Sequence, residues 1–225
     1  MNPASAILKR VVPLIVAVLL ADQVLKVWVK LNFRLGEFVH LFGTDQNWAY
    51  LQFVENRGMA FGLEFGGEMG KVALTLFRIV AVIGIGWLLR RAVQHRQGRW
   101  SETSLALVFT GALGNIIDST FYGVLFGAST HYELAEFLPA GGGYASLLHG
   151  AVVDMFYFPL WQGELPTWLP FWGGRPFEFF QPVFNIADVA ITVGIAMLLL
   201  AKNREAIANP HPPAEGPTTT VDQQP

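Results

Sequence analysis

No cysteine occurs in the 225 residues of this chain. Its absence removes disulfide bridges, thiolate nucleophiles and thiolate-bound metals from consideration, and leaves the compartment undecided. Charge is scarce too. Only 14% of residues are Asp, Glu, Lys or Arg against 52% hydrophobic, and the apolar residues come in blocks. That balance excludes an ordinary water-soluble domain and indicates a multi-span membrane protein. A net charge of -2 provides no basic excess, and no nucleic-acid partner is expected.

Val11 to Leu31 reads as a first span. A secretory signal, with Lys9 and Arg10 ahead of the run Val11 to Ala21, is the competing reading. It fails because Leu19 stands where a cleavage site wants a small residue, and because the helical pattern continues through Asp22, Lys26 and Lys30. Asp22 and Lys26 lie one turn apart and can neutralise each other, while Lys30 is expected to snorkel outward. Beyond Asn32, the alternation Trp48 to Val54 suits a strand, Asn56-Arg57-Gly58 a turn, and Met59 to Gly62 a returning strand. Together they predict a small sheet or flap.

Lys71 to Leu89 is a second span, interrupted by Arg78. Arg78 lies roughly 10 Å below Lys71, a depth that suits pairing with an interior carboxylate, Asp118. Ser101 to Tyr122 is a third span, with Gly111, Gly114, Asn115 and Asp118 on one face. The long connection after it is expected to hold a short amphipathic helix at His131 to Leu138, and then Asp154 in an apolar, non-helical stretch. Trp161, Trp168 and Trp172 follow as interfacial anchors. Phe184 to Leu200 is the fourth span. Residues 1–202 thus read as one membrane domain, and Ala206 to Pro225 as a disordered cytoplasmic tail.

The fourth span carries an ionisable group that needs a reason. A carboxylate at the centre of a membrane helix costs about 2.5 to 3.5 kcal/mol on insertion scales, and such groups usually face protein or water. Asn185 is placed to cap this helix, with Asp188 in its first turn, where the helix dipole favours a carboxylate. Basic residues cluster at Lys9 and Arg10, at Arg90, Arg91, Arg96 and Arg99, and at Lys202 and Arg204. The positive-inside bias therefore puts both termini in the cytoplasm and brings Asp118, Asp154 and Asp188 to one level at the outer face. Two aspartates at a partly dry site share a proton, one serving as base on water and the other as acid on a carbonyl. A transporter using intramembrane carboxylates as a proton or cation relay, and a scaffold whose polar residues only hold helices together, are the other readings that composition leaves open.

The motifs Asp22-Gln23-x-x-Lys26, Asn56-x-Gly58-x-Ala60-Phe61-Gly62, Gly111-Ala112-x-Gly114-Asn115-x-x-Asp118, Val153-Asp154-x-Phe156 and Phe184-Asn185-x-Ala187-Asp188 occur in that order. Together they resemble the lipoprotein signal peptidase family, signal peptidase II. The resemblance implies an all-α integral membrane protein, a four-transmembrane-helix bundle with a small extracytoplasmic sheet, in a bacterial inner membrane. It implies an aspartic endopeptidase that cuts prolipoproteins just before a lipid-modified cysteine, working as a monomer without metal or organic cofactor. Asp154 and Asp188 match the family's catalytic pair. Asp22, Lys26, Asn56, Gly58, Asn115, Asp118, Asn185 and Ala187 match positions that support the pair and the substrate. Met59, Phe61, Met155 and Phe156 are expected to shield the site from water. Two departures stand out: Ser119 where the family usually has arginine, for which Arg78 is the candidate replacement, and a long insertion from Thr120 to Gly150. The topology is directly testable, because cysteines introduced at Ser101 and Gly142 should label from opposite sides of the membrane, and same-side labelling would overturn it.

Overall fold

The computed structural model describes residues 3–43, 48–58, 67–179 and 182–208. Helix α1 spans Pro3–Asn32, α2 Gly67–His95 and α3 Arg99–Ile117. A π-helical turn, Asp118–Tyr122, and a short helix α4, Gly123–Leu125, prolong α3, and α5 covers Ile186–Ala208. Among the described residues three stretches are long and apolar enough to cross a membrane: Lys9–Asn32, Met69–His95 and Arg99–Leu125. The apolar part of α5, Ile186–Leu200, is shorter. The third helix starts two residues before the expected Ser101, with Gly98 as its N-cap in a conformation (φ 100°) that favours glycine.

The chain is mostly helical, with two small antiparallel sheets at one end of the bundle. Strands β1 (Phe38–His40), β2 (Tyr50–Asn56), β3 (Val152–Tyr157) and β6 (Val183–Phe184) line up in the order β1-β2-β3-β6. Strands β4 (Trp161–Glu164) and β5 (Pro176–Phe179) form a separate hairpin. The alternation read from Trp48 onward is realised in β2, where Leu51 and Phe53 turn inward. They pack with Val29 of α1, Phe33 just beyond its end, Tyr122, Phe126, Val153 and Met155. Burying an aliphatic or aromatic side chain of this size contributes about 1.5 to 3 kcal/mol, so this cluster fastens the sheet to the helix ends. In the β2–β3 register, Val54 lies opposite Asp154 and Asn56 opposite Val152, with a bulge between Leu51 and Val54.

Two expectations change. Lys30 does not snorkel: it is fully buried, paired with Glu55 and bonded to Ser129 Oγ at 2.9 Å, with the Tyr144 ring 4.8 Å away. The insertion folds back over this lysine and closes the route to water. Residues 131–138 form no helix, because Phe137 bridges to Phe126 and the backbone of Gly127, Thr130 and Leu138 is bonded to other parts of the chain. The strand expected at Met59 to Gly62 lies outside the described residues, as does the tail beyond Ala208, while β2 takes β1 and β3 as its partners.

Helices α3 and α5 make the most extensive helix contact, and small residues allow it. A Cβ at Gly111 would sit 2.2 Å from the Ala187 carbonyl oxygen, and one at Gly114 2.7 Å from an Asp22 carboxylate oxygen. Gly111→Ala should therefore force α5 off α3 and cost about 1 to 3 kcal/mol. A lowered melting temperature in detergent would register this. Gly84→Ala, with nothing within 4 Å, should leave the melting temperature unchanged or raise it.

Candidate active site

Helix α5 starts with a reciprocal cap. The Asp188 N–H donates to Asn185 Oδ1 at 2.9 Å, and the Asn185 N–H donates to Asp188 Oδ2 at 3.2 Å. This is the capping-box arrangement with Asp as the reaching residue, and it satisfies a backbone donor that the helix start would leave unpaired. The spacing of Asn185 and Asp188 is thus a local device before it is anything else. It also fixes both side chains to one rigid element.

Behind this helix start lies a buried network centred on Lys26. The ammonium has no exposed surface and reaches Asp22 Oδ2 at 2.9 Å, Asp118 Oδ2 at 2.8 Å and Asn115 Oδ1 at 2.9 Å. Asp22 Oδ1 accepts the Ala187 N–H at 2.8 Å, which ties α1 to the first turn of α5. Asp118 Oδ2 accepts the Val153 N–H at 3.2 Å, which ties the end of α3 to β3. The π-helical turn that begins at Asp118 keeps Asp118, Ser119, Thr120 and Tyr122 all buried. Such turns widen a helix locally and recur at functional sites.

Asp154 and Asp188 are held differently. Among the described residues neither takes part in an ion pair; amides bind them instead. Asn185 Nδ2 donates to Asp154 Oδ1 at 2.7 Å, and Asn115 Nδ2 donates to Asp188 Oδ1 at 2.9 Å. Asn185 Nδ2 also reaches Asn115 Oδ1 at 3.2 Å, so the two amides join the two carboxylates through one chain of contacts. The Asn56 side chain donates to Asp154 as well, and Asn56 Oδ1 accepts the Gly58 N–H at 2.8 Å in a turn where Gly58 has φ 90°. Burial first, and the charge of Asp188 second, push the Asp154 carboxyl up to about 7. Every candidate site residue on the described chain therefore lies in this one network. Met155 is fully buried and packs with Val153 in the core below the sheet, whereas Met59 and Phe61 lie outside the described residues. No group of three or more His, Cys, Asp or Glu side chains among the described residues is placed to hold a metal ion.

Arg78 does not pair with Asp118. Lys26 occupies that carboxylate, and the Arg78 guanidinium instead donates to Ser119 Oγ at 3.3 Å, where the carboxylates acting on it are Asp188 and Asp154. The rotation of α2 aims the side chain at a different pair.

The family model for signal peptidase (SPase) II matches residues 14–203. The chain belongs to the signal peptidase II family. It is 49% identical over 197 residues to the lipoprotein signal peptidase of Porphyromonas gingivalis strain ATCC 33277, covering 87% of this chain and 84% of that one. It is 38% identical over 192 residues to the lipoprotein signal peptidase of Amoebophilus asiaticus, covering 84% and 75%. A bacterial membrane enzyme solved by the in meso method shares the fold, with a TM-score of 0.56 at 20% identity over 86% of this chain and 92% of that one. A membrane-embedded protease is what membership in the signal peptidase II family entails.

The departures from the family pattern have structural answers. The insertion returns to its own origin: the Leu148 N–H donates to Thr120 O at 3.0 Å, the Gly150 N–H to Ser119 O at 2.9 Å, and the Ala151 N–H to Tyr144 Oη at 2.6 Å. A Cβ at Gly150 would lie 2.1 Å from Asp118 O, so only glycine fits this closure. Gln23, the second residue of the Asp22-Gln23-x-x-Lys26 motif, joins the same network. Its Nε2 reaches Asp118 Oδ1 at 3.0 Å and Asp22 Oδ2 at 3.1 Å, and its Oε1 accepts from Tyr122 Oη at 3.2 Å. Its place as a polar residue beside Asp22 within an apolar helix was the available signal.

Lys26→Met should strand two buried carboxylates and cost about 3 to 5 kcal/mol, whereas the triple variant Lys26→Met, Asp22→Asn, Asp118→Asn should recover much of that loss. Denaturation in detergent measures both. In double-mutant cycles Arg78→Gln should couple to Asp188→Asn and act additively with Asp118→Asn.

Proposed function

We propose that this chain removes signal peptides from lipid-modified prolipoproteins, cutting just before the diacylglyceryl-cysteine, with Asp154 and Asp188 activating the attacking water. One observation carries the reading. Of the four aspartates in the network, Asp22 and Asp118 are taken by Lys26, while Asp154 and Asp188 are bound by neutral amides that orient without neutralising. A carboxyl poised near 7 beside a second carboxylate is the arrangement that shares one proton between an acid and a base.

Asp188 accepts from the Asn115 amide and the Asn185 N–H at the first turn of α5. It serves as base, taking a proton from water as the hydroxide adds to the scissile carbonyl carbon. Asp154 supplies its proton to the carbonyl oxygen; when the tetrahedral intermediate collapses, the proton held by Asp188 passes to the leaving amine as the C–N bond breaks, and a hydroxyl of the intermediate returns its proton to Asp154. These roles describe one placement of a proton that the two carboxyls share. Asn185, touching both Asp154 and the Asp188 backbone, keeps the two in register.

In this reading α5 is the fourth crossing, both termini face the cytoplasm of a bacterial inner membrane, and the site lies at the outer face of a monomer. The apolar stretch of α5, at 1.5 Å per residue, is about 22 Å long against a hydrocarbon core of about 30 Å. Its helical continuation to Ala208 and local bilayer thinning make up the difference. The substrate's acyl chains then lie in the bilayer beside the bundle.

Asp154→Asn and Asp188→Asn, nearly isosteric, should each abolish cleavage of a lipid-modified prolipoprotein in proteoliposomes while leaving the protein folded; near wild-type turnover by either would sink the assignment. Asp22→Asn should act mainly on folding and yield. Loss of a proton-coupled flux in the two inactive variants would instead favour a relay. For pH, a raised carboxyl pKa means that Asp154 holds its proton at acid pH and releases it as pH rises through about 7. Activity should therefore fall on that alkaline side. Stability should fall earlier, as pH rises from about 4, where the unfolded carboxyl ionises, through about 7, and level off beyond, so Asp154→Asn should gain on wild type in melting temperature across that window.

A further inference from the structure

The chain between Asp154 and Asp188 does more than connect them. It makes the β4–β5 hairpin, whose tip, residues 165–174, reads LPTWLPFWGG and contains no charged side chain. Trp168, Phe171 and Trp172 are 77%, 88% and 59% exposed. These rings lie outside the helices that are long and apolar enough to cross a membrane, so lipid around the spans does not explain them.

The tip is built to present them. The Leu169 N–H donates to Pro166 O at 3.0 Å, the Gly173 N–H to Leu169 O at 3.0 Å and the Gly174 N–H to Leu165 O at 2.9 Å, closing a compact turn on the ladder of β4 and β5. Phe171 adopts φ 72°, a left-handed conformation that non-glycine residues seldom take, although its side chain makes no burial gain from it. A Cβ at Gly173 would meet Thr167 O at 2.6 Å, which keeps the turn tight. Charge returns only at the neck, with exposed Glu164 and Arg175 on the two sides of the tip.

We propose that this hairpin is a membrane-interface anchor, its tip seated in the headgroup and upper acyl region of the bilayer that holds the helices. Three features select lipid over a protein partner. Tryptophan is the residue enriched at the headgroup level, where its ring is apolar and its N–H stays wet. The hairpin is tethered to the membrane-embedded body on both sides: β3 ends at Tyr157, four residues before β4, and α5 begins at Ile186, seven residues after β5. The tip also carries no charged side chain and only Thr167 as a hydroxyl, too little to give a protein interface its orientation.

The absence of native cysteine makes the test clean. In the full chain in phosphatidylcholine and phosphatidylglycerol nanodiscs, a nitroxide at Thr167→Cys should collide with oxygen in preference to a nickel chelate. The reference is a label at Val80→Cys on the exposed face of α2. In the variant Trp168→Ser, Phe171→Ser, Trp172→Ser, the Thr167 label should move to the water phase while the Val80 label keeps its lipid signature, showing that the protein remains inserted. A Thr167 label that favours the nickel chelate like free label in water would overturn the proposal and leave the aromatic tip as a protein-docking surface. Retention of the lipid signature by the triple variant would overturn anchoring by these rings. Neither readout depends on which residues cleave the substrate.

Discussion

Lys26 is the one cation that the rest of this architecture depends on. It sits with no exposed surface between the carboxylates of Asp22 and Asp118, and a buried charge of either sign without a partner costs several kcal/mol. Each partner then reaches onward: Asp22 to the Ala187 N–H at the start of α5, and Asp118 to the Val153 N–H at the start of β3. Three helices and the central sheet strand are brought into register around a single ammonium. Gln23 and the backbone donors share the remaining negative charge.

With Lys26 committed, Asp154 and Asp188 are left to amides. Asn115 accepts from Lys26 through its oxygen and donates to Asp188 through its nitrogen, so it passes orientation but not charge from the structural pair to the proposed catalytic pair. An amide can hold a carboxylate in place whether it is ionised or protonated, provided the proton sits on the other oxygen, whereas an ammonium would hold it ionised. That difference is the physical basis for reading the two sets of aspartates as having separate tasks. Arg78 stands at the margin, bonded to a hydroxyl and acting on the pair through its field.

The connection from α3 to β3 shows how a long insertion can leave such a site undisturbed. Because Gly150 returns to the Ser119 carbonyl, the chain leaves and re-enters the network at neighbouring backbone positions, and the residues between them form a flap over Lys30. The cost of closing a longer loop grows only with the logarithm of its length, so the added residues load little strain on Asp154.

The apolar blocks, the strand alternation in Leu51 to Phe53, the glycines facing α5 and the cap at Asn185 and Asp188 were all legible in the sequence. They depend on neighbours within about one helical turn or two strand residues, where backbone geometry alone decides which side chains share a face. Family motifs added the order of the polar residues. What could not be read were the partners chosen across long separations: Lys26 rather than Arg78 for Asp118, and Glu55 and Ser129 for Lys30. Each of those depends on how far a helix is rotated about its axis and on what later part of the chain folds back to exclude water. The sequence by itself therefore determined which segments are apolar helices and which residues are polar within them; only the tertiary structure decided which charge is neutralised by a cation and which is held by an amide, because that choice is made by packing at distances of 3 Å between residues up to 165 positions apart.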